Sequence, residues 1–174
     1  KGSLKVSVAI EGKGKVENVL YDASGRQVAK GVGESCVLTV NKPSLWSVES
    51  PYLYKLRTRV IASGKVVDEE WTTTGFRTFC FDAEKGFSLN GKSMKINGVC
   101  EHHDFGCLGS AFNEDALHRK LTLLREMGVN SIRSSHNPPA PELLNMCDSM
   151  GFIVMDESFD MWRRKKTQND YARF

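Results

Sequence analysis

Val129-Asn130-Ser131-Ile132-Arg133-Ser134-Ser135-His136-Asn137-Pro138-Pro139 is the stretch whose reading decides the fold. A short apolar run ends in a basic, hydroxyl-rich and imidazole-bearing tip. Pro138 then disfavours helical backbone at Asn137, so the chain stays extended before a new helix starts. The same grammar flanks it on both sides. Cys100-Glu101-His102-His103-Asp104 follows the run 93–99, and Asp156-Glu157 follows the apolar run 152–155. Between these tips the spacing turns helical. Asn113 is an N-cap residue with Glu114 and Asp115 beside it, and Leu117, Leu121, Leu124 and Met127 recur on one face until Gly128. Pro141 opens a second helix carrying Leu143, Leu144, Cys147 and Met150, and Gly151 closes it. Strand, tip, helix, strand repeated in this order predicts a parallel sheet with right-handed crossovers, its third strand covered on both faces. In such sheets the tips share one end, where β/α enzymes build their sites.

Upstream the pattern is different. Leu4, Val6, Val8 and Ile10 alternate with polar residues, as do Leu56, Thr58 and Val60 with Arg57 and Arg59. Further strands are expected over 16–21, 28–29, 35–40, 54–62 and 66–72, with a turn at Asp22-Ala23-Ser24-Gly25 and a tight link at Ser63-Gly64-Lys65. Many short strands without a helix argue for an antiparallel sandwich of immunoglobulin-like type, although the Cys…Trp…Cys pattern of antibody domains is absent. Asn90-Gly91 marks a hairpin as the grammar changes. The expected division is a sandwich over residues 1–78 and a β/α region over 79–174.

Composition narrows the classes. At 174 residues and a net charge of +3, the chain has one short basic run, Arg163 to Lys166, which reads as a solvated face. It offers neither the broad basic stripe nor the reading motif of a nucleic-acid binder. No segment approaches the roughly twenty apolar residues of a membrane helix, no stretch reads as a signal peptide, and Lys1 as first residue suggests that the start is not native. Five cysteines without a C-x-x-C pair indicate neither a zinc ribbon nor a redox dithiol. No nucleic-acid or membrane partner is therefore expected.

The tips carry the chemistry. Neutral His102 and His136 can hydrogen-bond substrate hydroxyls from either ring nitrogen, and the Arg133 guanidinium can hold a carboxylate. A metal centre is the rival reading, because His102, His103, Asp104, His136 and Asp156 are ligand types. Adjacent histidines on an extended strand point to opposite faces, however, and H-E-x-x-H is absent. A non-enzymatic alternative is a sandwich interaction module with a β/α extension packed against it.

Leu45-Trp46-Ser47-Val48-Glu49-Ser50-Pro51-Tyr52-Leu53-Tyr54, Gly75-Phe76-Arg77, Leu89-Asn90-Gly91-Lys92 and Asn97-Gly98-Val99 resemble, in order, landmarks of glycoside hydrolase family 2. The stretch from Asn130 to His136 and on through Asp148 to Glu157 is similar to the long signature of that family. The resemblance implies an immunoglobulin-like domain followed by the first three strands of a (β/α)8 TIM barrel, an internal fragment of a larger enzyme. It implies retaining hydrolysis of terminal β-glycosides, most of all β-galactosides, by two glutamates about 5–5.5 Å apart. Both are expected beyond Phe174, so no residue here is expected to be acid/base or nucleophile, and the chain alone is expected to be inactive. His102 and His136 match sugar-contacting histidines, Arg133 the arginine that orients the nucleophile, and Asp156 and Glu157 the acidic pair after the third strand. Trp162 matches a position where a ring stacks on sugar or is buried. Asn137 stands where many members carry Tyr, and Met161 and Arg163 stand where magnesium-using members carry Glu and His. No metal or other cofactor is therefore expected. The expected partners are a carbohydrate substrate and other copies of the chain, joined through the open barrel edge.

Overall fold

The computed structural model of the protein describes residues 1–159 and 167–168. Its contacts divide the chain into two units, one of Lys1–Cys80 with Ser88–Lys92, the other of Phe81–Phe87 and the residues from Ser93 onward.

The first unit is an antiparallel sandwich of immunoglobulin-like type. Strands β1 (Gly2–Ser7) and β4 (Ser35–Val40) form one sheet. The other runs in the order β3-β2-β5-β6, from β2 (Lys15–Tyr21), β3 (Gln27–Val32), β5 (Tyr54–Ala62) and β6 (Lys65–Thr74). Alternation decides which residues meet. Val6, Leu38 and Val40 from the first sheet pack on Leu20, Tyr54 and Leu56 from the second, with Phe76 closing the layer. One polar side chain enters this interior. Asn18 is fully buried, donates to the Gly33 carbonyl at 3.1 Å and accepts from the Thr58 hydroxyl at 2.9 Å, so its amide is not stranded. The β5–β6 link turns on Ser63 and Gly64, both with positive φ, as a two-residue hairpin requires.

The resemblance landmarks of this unit are held by packing. Trp46 is buried, its backbone N–H donates to the Phe76 carbonyl at 2.8 Å, and the Arg77 guanidinium lies 4.6 Å from its ring centre. Asn90 donates to the Trp46 carbonyl at 3.0 Å and accepts from the Thr78 N–H at 3.0 Å. Short strands β7 (Phe79–Asp82), β8 (Gly86–Leu89) and β9 (Lys92–Ser93) carry the chain across the division, with the Asn90-Gly91 turn between the last two.

The second unit is built on a three-stranded parallel sheet with β/α connections. Strands β10 (Gly98–Glu101), β11 (Ser131–Ser134) and β12 (Ile153–Met155) are parallel and lie in that order, separated in sequence by helices α1 (Glu114–Glu126) and α2 (Pro141–Met150). Asn113 caps α1 through a bond from the Ala116 N–H at 2.8 Å. Pro141 stands in the first turn of α2, and Gly151 ends it in the left-handed conformation. Leu117, Leu121, Ile132, Leu143, Met146, Cys147 and Phe152 form the core between helices and sheet.

Two expectations need correction. The first parallel strand begins at Gly98, not 93. Asn130 donates to the Lys95 carbonyl at 2.9 Å and accepts from the Asn97 N–H at 2.8 Å, so a side-chain amide replaces ladder pairing there. Met127 does not continue the buried stripe. The helix stops at Glu126, and Met127 is 77% exposed on its C-cap. Strand β12 is half-buried at Ile153 and Val154, with Val154 packed on the core, and Met155 is 57% exposed among the described residues.

Candidate active site

The parallel register sets the site. Cys100 pairs with Arg133, Arg133 with Met155, and Glu101 with Ser134, so the three polar tips leave the sheet side by side at the C-terminal ends of their strands. Arg133 is a strand residue, its backbone fixed by the ladders on both sides. Its Nε and Nη2 both lie 2.6 Å from Glu157 Oε1. His136 Nδ1 lies 3.1 Å from the other oxygen, Oε2. A carboxylate can only accept, so the His136 proton in this contact is on Nδ1; in the neutral ring Nε2 is then an acceptor. Arg133 Nη2 also lies 3.4 Å from that Nδ1. The His102 ring packs edge-on against His136, with centres 5.6 Å apart.

Supporting bonds hold this cluster from behind. The Ser134 hydroxyl accepts from the Glu157 N–H at 2.8 Å and donates to Asp156 Oδ1 at 3.2 Å, tying the third tip to the second. The Ser135 N–H donates to the Glu101 carbonyl at 2.9 Å, tying the second to the first. Lys120 reaches from α1 to Glu101 Oε2 at 2.7 Å and to the Asp104 carbonyl at 2.9 Å, bracing the segment that carries His102.

The charges follow from these contacts. Partial burial by itself raises the Glu157 pKa, but the hydrogen bonds from Arg133 and His136 outweigh it, and the net shift is downward. Cys100 and then Glu157 raise Arg133 further. Arg133 Nη1 lies 3.2 Å from Cys100 Sγ, and with Ser135 it draws that thiol below its ordinary value. Glu157 is thus an ionised group held between two donors. It is the opposite of a general acid, which needs a raised pKa.

The structure therefore brings His102, Arg133, His136 and Glu157 together. It places Asp156 one bond away, on Ser134. Trp162 lies outside the described residues, as do Met161 and the basic run from Arg163. Two members of the cluster, Cys100 and Ser134, were not singled out as site residues from sequence. Their signal is the strand register, which pairs Cys100 with Arg133 and is not written in either segment alone. Among the described residues no group of three or more His, Cys, Asp or Glu side chains is gathered as metal ligands would be.

Comparison with known proteins adds independent findings. A model of "Glycosyl hydrolases family 2" matches residues 1–77, and one of "Glycosyl hydrolases family 2, TIM barrel domain" matches residues 83–169. Beta-galactosidase BoGH2A of Bacteroides ovatus is 56% identical over 166 residues, covering 89% of this chain and 20% of that protein. A putative beta-glucuronidase of Formosa agariphila is 42% identical over 182 residues, covering 99% of this chain and 18% of the relative. The chain thus spans about a fifth of the length of these curated relatives. Among solved structures, a glycosyl hydrolase family 2 member from Bacteroides cellulosilyticus superposes with a TM-score of 0.86 at 39% identity, covering 99% of this chain and 26% of that one. The β-glucuronidase of Ruminococcus gnavus in complex with D-glucuronic acid gives 0.84 at 31% identity, covering 90% and 27%.

Proposed function

The chain belongs to glycoside hydrolase family 2, and from that premise we propose that its second unit supplies one wall of the sugar pocket of a retaining β-glycosidase, of β-galactosidase type. In this reading the sandwich occupies residues 1–78, and residues 79–174 open a barrel whose remaining strands lie past Phe174. The observation that carries it is the Glu157 carboxylate clamped by Arg133 and His136 at the C-terminal end of β11, beside His102.

Each residue has a task in this reading. His136 uses Nδ1 on Glu157, so its Nε2 accepts from a sugar hydroxyl, and His102 contacts a neighbouring hydroxyl. Arg133, anchored by Glu157 and by its strand, presents fixed positive charge where a nucleophilic carboxylate is to be oriented. Asp156 holds Ser134 and with it the turn into Glu157. Glu157 is held ionised and cannot donate the proton that a leaving glycosidic oxygen needs. With both catalytic glutamates expected past Phe174, the 174-residue polypeptide is inactive alone in this reading. It also self-associates, because β10 and β12 each leave one edge unpaired among the described residues.

The sugar assignment rests on the 56% identity to a β-galactosidase. The 42% identity to a putative beta-glucuronidase supports β-glucuronide as the second reading. Assaying the full-length protein on a panel of nitrophenyl β-glycosides tests both. Turnover of the galactoside at least about tenfold above the glucuronide is expected, and the reverse order replaces the first reading by the second. No turnover of any β-glycoside overturns the proposal.

A further inference from the structure

The sandwich carries a second constellation, which shares no residue with the cluster described above. On the outer face of the β2-β5-β6 sheet, Tyr21 and Trp71 stand with ring centres 5.6 Å apart, and the Arg57 guanidinium lies 5.2 Å from the first and 5.7 Å from the second. Register explains the grouping, because Arg57 is directly opposite Trp71 on β6 and Val19 on β2, with Tyr21 two residues further along β2. These side chains line a groove of about 790 Å³ together with Tyr52, Lys55 and Thr73. That volume is in the range of small-molecule sites.

The charge of this groove is unbalanced. Glu17 is taken by Lys30 at 2.6 Å, Glu69 by Arg59, and Asp22 by Arg26 at 3.1 Å. Arg57 has Glu17 only at 4.0 Å and the more distant charge of Glu69, which also accepts from the Trp71 indole N–H at 2.9 Å, and its Nε is buried without a hydrogen-bond partner. Lys55 makes no ion pair among the described residues. Two incompletely neutralised cations therefore face a groove whose wall is a half-exposed indole. Tyr52 spends its oxygen on accepting from the Ala23 N–H at 3.3 Å, which leaves its own proton to give.

We propose that this groove is a binding site for an acidic sugar residue, the pyranose ring against Trp71 and Tyr21 and the carboxylate on Arg57 and Lys55. Ring stacking satisfies the aromatic face, and the carboxylate supplies the close charge partner that Arg57, 4.0 Å from Glu17, does not have. The choice of a saccharide rests on the reading of the chain as part of a glycosidase. The carboxylate rests on the charges alone.

Titration of the 15N-labelled chain with the methyl β-glycoside of D-glucuronic acid, beside neutral methyl β-D-glucopyranoside, tests the site by amide and indole shifts without any hydrolysis. The expected result is saturable movement of the Trp71 indole and of the amides at 55–57 and 71–73, with the neutral twin at least about tenfold weaker. Trp71→Phe keeps a ring and is expected to keep binding, whereas Trp71→Ala and Arg57→Gln each weaken it about tenfold or more. An unchanged spectrum for each variant away from the groove establishes that it is folded. Absence of shifts at about 20 mM uronate, equal response to the neutral glycoside, or shifts confined to residues around 102 and 133–136 overturns the proposal. Any of these outcomes leaves the glycosidase reading standing, since that reading is decided by turnover.

Discussion

Leu121 is fully buried in the middle of α1, against the layer formed by Ile132, Cys147 and Phe152, whereas Leu123 on the same helix is 43% exposed. Both lie well inside Glu114–Glu126, so replacing either by alanine changes helix propensity little. The difference is burial. Leu121→Ala removes a side chain with no solvent contact and leaves a cavity, which costs about 2–5 kcal/mol. Leu123→Ala is expected to stay within about 0.5 kcal/mol of the parent. A gap of about 3 kcal/mol is more than a hundredfold in the folding equilibrium. Among the described residues the α-helices belong to the second unit, so ellipticity at 222 nm during urea unfolding follows that unit specifically. Amide exchange at Ile132 gives a second, local measure. If Leu121→Ala unfolds at the same urea concentration as Leu123→Ala, the helix does not face the sheet as described. The placement of the three polar tips would then lose its support.

Other expectations concern charge and chemistry. Because the folded pKa of Glu157 is depressed, its ionised form stabilises the fold above the unfolded value near 4.5, and that contribution is lost as pH falls through the lower folded value. In a carboxyl-carbon NMR titration the Glu157 midpoint should lie below 4.5, and Arg133→Met should move it upward; an unmoved midpoint would disconnect the pair. Burial pushes the Cys147 thiol up to about 12, and Cys147 is 1% exposed, so it should be the last of the five cysteines to react with iodoacetamide. Cys100, activated by Arg133, should be alkylated well before it, and Arg133→Met should slow that reaction at Cys100 selectively. Asn18→Ala strands the Gly33 carbonyl and the Thr58 hydroxyl in the sandwich and should cost about 1–3 kcal/mol in thermal or urea unfolding. The 174-residue polypeptide should give no turnover of nitrophenyl β-galactoside and should scatter light as more than a monomer at micromolar concentration.

Much of the fold is written locally. Strand Ser35–Val40 coincides with its alternation because one face is buried and the other is wet, and in Tyr54–Ala62 the same alternation holds over its first three residues. The hairpin at Asn90-Gly91 and the cap at Asn113 are legible because each needs a particular side chain at one position. What is not legible depends on partners far along the chain. Met94 and Ile96 continue a strand-like pattern, yet Asn130 takes over the backbone of that segment, and nothing near residue 95 announces it. The site shows the same split. His102, Arg133 and His136 stand out as polar groups ending apolar runs, whereas the service of Cys100 and Ser134 follows from register, and that of Glu157 from reach across to β11.

The central claim is that the tips of β10, β11 and β12 form one face of a sugar pocket. A crystal structure of the full-length protein with an imino sugar of galactose configuration tests it most directly. The account predicts ring hydroxyls within about 3.2 Å of His102 and of His136 Nε2, with Arg133 still joined to Glu157 behind them. A sugar bound elsewhere, with both histidines out of hydrogen-bond reach, would contradict it.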